Sequence, residues 1–359
     1  MQSIARKADG MYIWIVLQNP KHLMLTKPDI PYEKIITCLQ DQYGLHIDQL
    51  EFLPLGADLN TVVYRAVARG GAPYFVKLRS GIFDETSVEL PKYFSDQGIR
   101  QVIAPLESKT GRLWGHLDDY RIILYPFIEG RDGYEVMLSA SQWAEFGAAL
   151  KRIHTLSLPS SLAGRIQRET YSAQWRQSVK TLLDQIYHGA RFEEPVAQKT
   201  ALFMADRRKE TLDLVERAER CARVLIAQPP DFVLCHSDVH AANILVDARG
   251  AFYIVDWDNP ILAPKERDLM FIGGAQGFIG RSAQEEEALF YTGYGLTRVD
   301  PTALAYYRYE RIVTDIAIYC EQLLFPSSHA DDREQSFHYL ASNYEPGNTI
   351  EAAYQSDKT

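Results

Sequence analysis

Apolar residues in this chain recur at two periods, and the change from one to the other divides it. Ile35, Ile36, Leu39 and Tyr43 return at helical spacing. Pro31 stands where a first turn tolerates it and Gly44 where a helix stops, so the pattern predicts one amphipathic helix. From Leu50 to Leu78 the chain changes to short runs rich in Val, Tyr and Phe, broken at Gly56 to Asn60 and at Gly70-Gly71, which predicts an antiparallel meander. Its third run, Tyr74 to Leu78, carries Lys77 inside a strand. A helical stretch over Glu85 to Gln97 follows, then strands at Val102 to Leu106, around Leu113 to Leu117 and at Tyr120 to Tyr125.

Pro126 to Gly130 is a connector containing a breaker, and beyond it the pattern is mainly helical, so a domain boundary is expected here. Ser139 and Gln142 form a capping box ahead of a helix whose Trp143, Phe146, Leu150 and Ile153 share one face. Lys209 to Ile226 and Thr302 to Leu324 read as further core helices, the second striped by Tyr309, Ile312, Ile316, Cys320 and Leu323. Between these two, Phe232 to Asp258 reads as strand, loop and strand, and its polar residues follow neither period. The expected class is α+β. The expected organisation is a leader over 1–23, a small β-rich lobe over 24–127, a larger helical lobe over 128–347 and a tail over 348–359.

Composition narrows the function. At 46% hydrophobic and 24% charged, the chain has the balance of a soluble globular protein, and a net charge of -9 argues against nucleic acid or an anionic membrane as partner while permitting a cationic ligand. Cys38, Cys221, Cys235 and Cys320 are scattered with no C-x-x-C pair, which indicates neither a disulfide framework nor a zinc knuckle and favours a reducing, cytoplasmic setting. Arg6 and Lys7 precede the apolar run Met11 to Leu17, which is too short to span a bilayer; it is read as a leader or a misplaced start, with Met24 as an alternative initiator.

The chemistry concentrates in Cys235-His236-Ser237-Asp238-Val239-His240-Ala241-Ala242-Asn243, followed by the apolar strand Ile244 to Val246. Phosphoryl transfer needs a carboxylate to align the acceptor hydroxyl and take its proton, and oxygen ligands to hold magnesium beside the phosphates. Asp238 suits the first task and Asn243 the second. After a turn at Asp247 to Gly250, the strand Phe252 to Val255 delivers Asp256-Trp257-Asp258, where Asp256 is a second hard oxygen ligand. His236 is expected to be a hydrogen-bonded scaffold rather than a reacting group.

The order His236-Ser237-Asp238, Asn243 and Asp256-Trp257-Asp258 resembles the catalytic and metal-binding signature of the aminoglycoside phosphotransferase family, relatives of the protein kinases, and the likeness runs from about Met24 to the last helix. Leu262 to Gly274 and Tyr306 to Val313 are similar to the branch of that family that acts on spectinomycin. The resemblance implies a bilobal protein-kinase-like fold, ATP or GTP with Mg2+ as cofactors, and an aminocyclitol antibiotic as acceptor. Lys77 then corresponds to the strand lysine that meets the α and β phosphates, and Glu85 is chosen over Glu89 as its partner from the next helix. The turn Gly56 to Asn60 occupies the place of a phosphate-covering loop, although it carries one glycine where a kinase loop has three. In the connector, Tyr125 is expected to face the adenine, with Pro126 C=O and Ile128 N–H on the purine edge.

A cationic acceptor calls for carboxylates and aromatic walls, for which Asp258, Glu266, Tyr306 and Glu310 are candidates; Tyr306 and Glu310 lie one helical turn apart. Rival readings keep the chemistry but change the acceptor to a choline-, homoserine- or sugar-like alcohol, or make the chain a catalytically silent kinase-fold module. A monomer is the expected state.

Overall fold

The computed structural model describes residues 29–54, 60–325 and 333–357. The expected leader and most of the expected phosphate-covering turn lie outside the described residues. The described chain forms an α+β, protein-kinase-like fold made of two compact units that interleave along the sequence. Of the described residues, one unit contains those up to Met137 together with Ser157–Ile166 and Ala241–Pro260; the other contains Leu138–Leu156, Gln167–His240 and those from Ile261 on. The contiguous division expected at 127/128 differs from this grouping because the strands Ile244–Asp247 and Phe252–Ile254 form a sheet with Gly130–Asp132, which ties that later segment to the first unit.

The first unit is built on strands β1 (Ile47–Leu53), β2 (Thr61–Ala68), β3 (Pro73–Arg79), β4 (Gly115–Leu117) and β5 (Tyr120–Pro126), in the order β1-β2-β3-β5-β4, all neighbours antiparallel. Alternation along β3 decides what each face carries. Val76 and Leu78 are buried with Tyr64, Ala66, Ile122 and Leu124 against Ile35, Cys38 and Leu39 of the predicted opening helix, observed at Tyr32–Tyr43. Phe75, Lys77 and Arg79 therefore take the opposite face, where Lys77 lies between Val63 of β2 and Ile123 of β5. The strand expected at Val102 to Leu106 is reduced to a single bridge from Val102 to Ile254, with Leu106 N–H donating to Leu124 C=O.

The helix expected from Glu85 runs Thr86–Asp96, and its Phe94 packs against Trp257 with ring centroids 4.8 Å apart. Trp257 is buried and its Nε1–H donates to Ile254 C=O at 3.1 Å. This indole is the anchor between Asp256 and Asp258.

In the second unit, the helix Ala140–Thr155 begins with the predicted capping box: Ser139 Oγ accepts from Gln142 N–H while Gln142 Oε1 accepts from Ser139 N–H. It crosses the helix Ala283–Tyr294 at two glycines. A Cβ on Gly147 would collide with Phe290 C=O, and one on Gly293 with Ala144 C=O, so the backbones touch where no side chain intervenes. The helix Pro301–Leu324 buries the expected stripe of Tyr309, Ile312, Ile316, Cys320 and Leu323 and packs on the helix Arg208–Ala227. The expected tail is instead a helix, Thr349–Ser356, docked by Asp357, whose carboxylate accepts from Tyr309, Arg217 and Arg220. No helix among the described residues is long and apolar enough to cross a membrane.

Candidate active site

Two groups of functional side chains are assembled, one in each unit. In the first unit, β3 presents Lys77 and Arg79 from one face at the i, i+2 spacing of a strand. Lys77 Nζ lies 2.7 Å from both carboxylate oxygens of Asp258 and 3.8 Å from Asp256 Oδ1, and Arg79 NH1 lies 2.6 Å from Asp258 Oδ2. Burial by itself would lower the Lys77 pKa, but the charges of Asp258 and Asp256 outweigh it and hold it above the usual lysine range. Burial likewise pushes the Tyr125 hydroxyl up.

The antiparallel hairpin brings Asn243 and Asp256 to one end of its two strands: Ile244 pairs with Ile254, and Val255 N–H donates to Asn243 C=O at 2.9 Å. Asn243 is buried in a short 3-10 turn, Ala241–Asn243. Asp256 sits at φ 65°, a left-handed conformation that costs a non-glycine residue free energy. An amide oxygen and a carboxylate at one hairpin end are the donor set a hard divalent cation such as magnesium takes.

The structure places the remaining first-unit candidates as follows. Tyr125 and Pro126 end β5, Tyr125 on the Lys77 face with Phe75 at 6.4 Å, and Ile128 lies in the connector beyond. Glu85 is exposed at the helix N-cap and makes no ion pair with Lys77. Its place is taken by Asp258, because the face of β3 that carries Lys77 meets the segment after Phe252–Ile254. Glu89 instead pairs with Arg165. Asp258, expected at the acceptor, is thus engaged by two cations of its own unit.

In the second unit, Asp238 follows the strand Val233–Cys235 on a loop held by Asp268. Asp268 is fully buried; its two oxygens accept from His236 N–H at 2.9 Å and Ser237 N–H at 2.7 Å, and His154 Nε2 lies 3.0 Å away. Burial would raise its pKa, but the hydrogen bond and charge of His154 hold it below the usual range. Asp238 N–H donates to His236 Nδ1 at 3.2 Å, so His236 braces the loop. The Asp238 carboxylate receives Arg311 NH1 on Oδ1 at 2.8 Å and has His240 Nε2 3.5 Å from Oδ2. Burial acts to raise its pKa, yet His240 and Arg311 together hold it well below the carboxylate range. Arg311 Nε is also 3.4 Å from Asp315 one turn along the helix.

The acceptor candidates of this unit are buried. Glu266 is bound by Lys265 at 2.8 Å and by Asp300 N–H at 3.0 Å. Tyr306 stacks edge-on with Tyr171 and Tyr307, and Glu310 lies 3.4 Å from Arg176. Burial pushes the Glu310 pKa up to about 7. Sequence reasoning passed over Arg79, Arg311 and Asp315. The i, i+2 relation of Arg79 to Lys77 and the i, i+4 relation of Arg311 to Asp315 were the available signals.

A kinase-like α+β fold carrying a strand lysine, a loop aspartate and an asparagine–aspartate pair in that order defines a phosphotransferase. Residues 51–273 match the phosphotransferase enzyme family (APH), and the chain belongs to that family: it is an enzyme that transfers phosphate to an alcohol group. Its structure is similar to the crystal structure of the spectinomycin phosphotransferase APH(9)-Ia in complex with ADP and spectinomycin, at 36% identity and a TM-score of 0.85, over 92% of this chain and all of that one. It shares its fold with an amicoumacin kinase bound to AMP-PNP and Ca2+, at 16% identity and a TM-score of 0.60, over 91% of this chain and 94% of that one. Protein StrN of Streptomyces griseus is 25% identical over 279 residues, 73% of this chain and 83% of that protein.

Proposed function

We propose that this enzyme moves the γ-phosphate of ATP onto a hydroxyl of an aminocyclitol antibiotic, spectinomycin itself. The observation that carries this reading is the 36% identity, sustained over 92% of the chain, with a phosphotransferase whose structure holds ADP and spectinomycin. On this reading the adenine lies against Tyr125, Pro126 C=O and Ile128 N–H, and Lys77 meets the α and β phosphates. Asn243 and Asp256 would hold magnesium, which when bound neutralises charge on the phosphates. Asp238 accepts a hydrogen bond from the acceptor hydroxyl, orients it for in-line attack and takes its proton as the new O–P bond forms and ADP leaves. The chief contribution of this carboxylate is alignment, as suits a loose transition state in which little proton transfer precedes bond breaking. Tyr306 and Glu310 are the acceptor-side residues this reading retains from the second unit.

The test is phosphorus NMR of spectinomycin incubated with enzyme, magnesium and ATP. A new phosphate ester is expected with the wild type. Asp238→Asn is expected to slow its formation by about 100-fold or more. If ATP is consumed with choline, homoserine or a sugar while spectinomycin gives no ester, the acceptor assignment fails.

A further inference from the structure

The cation paired with Asp238 is itself seated on an aromatic ring. We propose that Phe271 is a positioning residue of the phosphotransferase site, holding Arg311 in the orientation that charge-pairs and aligns the Asp238 carboxylate. The inference rests on the reading of Asp238 as the carboxylate that meets the acceptor hydroxyl.

A planar guanidinium can be held at its edge by acceptors and at its face by a ring, and the two do not compete. At the edge of Arg311, NH1 lies 2.8 Å from Asp238 Oδ1 and Nε lies 3.4 Å from Asp315 Oδ1. At its face lies Phe271, with the ring centroid 5.9 Å from the guanidinium carbon. The His240 ring, whose Nε2 is 3.5 Å from Asp238 Oδ2, stands beside the same phenyl ring at 6.3 Å between centroids. One side chain thus lies next to both groups that bracket the Asp238 carboxylate. Phe271 is fully buried, so water does not dilute its attraction for a cation.

The backbone on both sides of Phe271 is held by charged side chains. Arg308, buried and one turn before Arg311 on the same helix, donates from Nε to Met270 C=O at 3.2 Å and from NH2 to Ile272 C=O at 2.8 Å. The buried Glu286 accepts from Gly273 N–H at 3.0 Å. Phe271 N–H donates at 3.2 Å to the C=O of Asp268, the residue whose carboxylate holds His236 N–H and Ser237 N–H. The turn that braces the Asp238 loop through Asp268 therefore also carries, three residues on, the ring that seats its charge partner.

The test separates the electrostatics of the ring from its bulk. Replacing Phe271 with 3,4,5-trifluorophenylalanine by amber suppression keeps the shape and drains the negative face of the ring, whereas Phe271→Leu removes that face. With spectinomycin, ATP and magnesium, Phe271→Leu is expected to lower kcat by about 5-fold to 30-fold and to leave the KM for ATP within about twofold. The fluorinated protein is expected to lose kcat in the same way but by less. In an Arg311→Ala background, Phe271→Leu should lower kcat by no more than about twofold further. The same cycle read in denaturant melts needs no acceptor, and its four unfolding constants should depart from additivity by about threefold or more.

If Phe271→Leu and the fluorinated protein both turn over as the wild type does, the inference is overturned while the phosphotransferase reading stands. If Phe271→Leu lowers kcat as much without Arg311 as with it, or if the melts are additive, the ring acts through bulk alone and the inference is likewise overturned. If Phe271→Leu does not fold, the fluorinated protein decides by itself, and an unchanged kcat overturns the inference. If spectinomycin is not turned over, the melts decide. If Asp238→Asn transfers phosphate as fast as the wild type, the reading of Asp238 fails first and this inference with it.

Discussion

Arg311 places its NH1 2.8 Å from Oδ1 of Asp238, so the carboxylate assigned to the acceptor hydroxyl is already charge-paired. The pair keeps Asp238 ionised, fixes the direction of its second oxygen, and is itself tethered by Asp315 on the next turn of the same helix.

Removing the guanidinium takes away one of the charges, with those of His240 and His236, that hold the Asp238 pKa down and leaves burial, which acts in the opposite direction, less opposed. Arg311→Ala is therefore expected to move the acid limb of the kcat/KM profile to higher pH. It is also expected to lower kcat by about 10-fold to 100-fold through loss of orientation. Arg311→Lys should keep more of the activity and shift the limb less. The check is a pH–rate profile from acid to neutral pH; an unmoved acid limb in Arg311→Ala would refute the account.

Asp268 accepts from His236 N–H and Ser237 N–H while His154 stands against its second side, all of it buried. Asp268→Ala leaves two backbone donors without acceptors and is expected to destabilise the protein by about 3 kcal/mol or more. Asp268→Asn retains one acceptor oxygen and should lose less. Denaturant melts of the two variants decide the order.

Glu310 titrates at about 7 in the folded protein against an ordinary value of 4.5. An acid whose pKa is raised by folding binds more protons folded than unfolded between those values. Its stabilising contribution is complete below 4.5 and is lost as the pH rises through 7. Wild-type melting temperature is expected to fall over that window more steeply than that of Glu310→Gln, which cannot ionise. Parallel curves for the two proteins would contradict the assignment of this carboxyl.

Gly293 brings the helix Ala283–Tyr294 onto Ala144 C=O with no room for a methyl group. Gly293→Ala should improve helix propensity locally, yet the steric conflict with backbone dominates, because a carbonyl fixed in another helix has no rotamer to escape into. A loss of about 1–3 kcal/mol is expected in thermal melts by circular dichroism. A more stable variant would mean that the helices separate without cost.

What the chain settles by itself is local. The helical stripe of Tyr309 to Leu323, the capping box at Ser139, the alternation that sets Lys77 against Val76 and Leu78, and the order Asp238, Asn243, Asp256 all depend on neighbours a few residues away, where period and hydrogen-bonding chemistry suffice. The partners of the charged groups are another matter. Lys77 meets Asp258 across 181 positions and Arg311 meets Asp238 across 73, and no spacing rule chooses among the many carboxylates a chain of this composition offers. Glu85 was the reasonable local choice for Lys77, yet it faces water while the buried indole of Trp257 packs against Phe94 beside Asp258. Burial makes an unpaired charge costly, so packing decides which acids and bases must meet, and packing exists only in the folded chain.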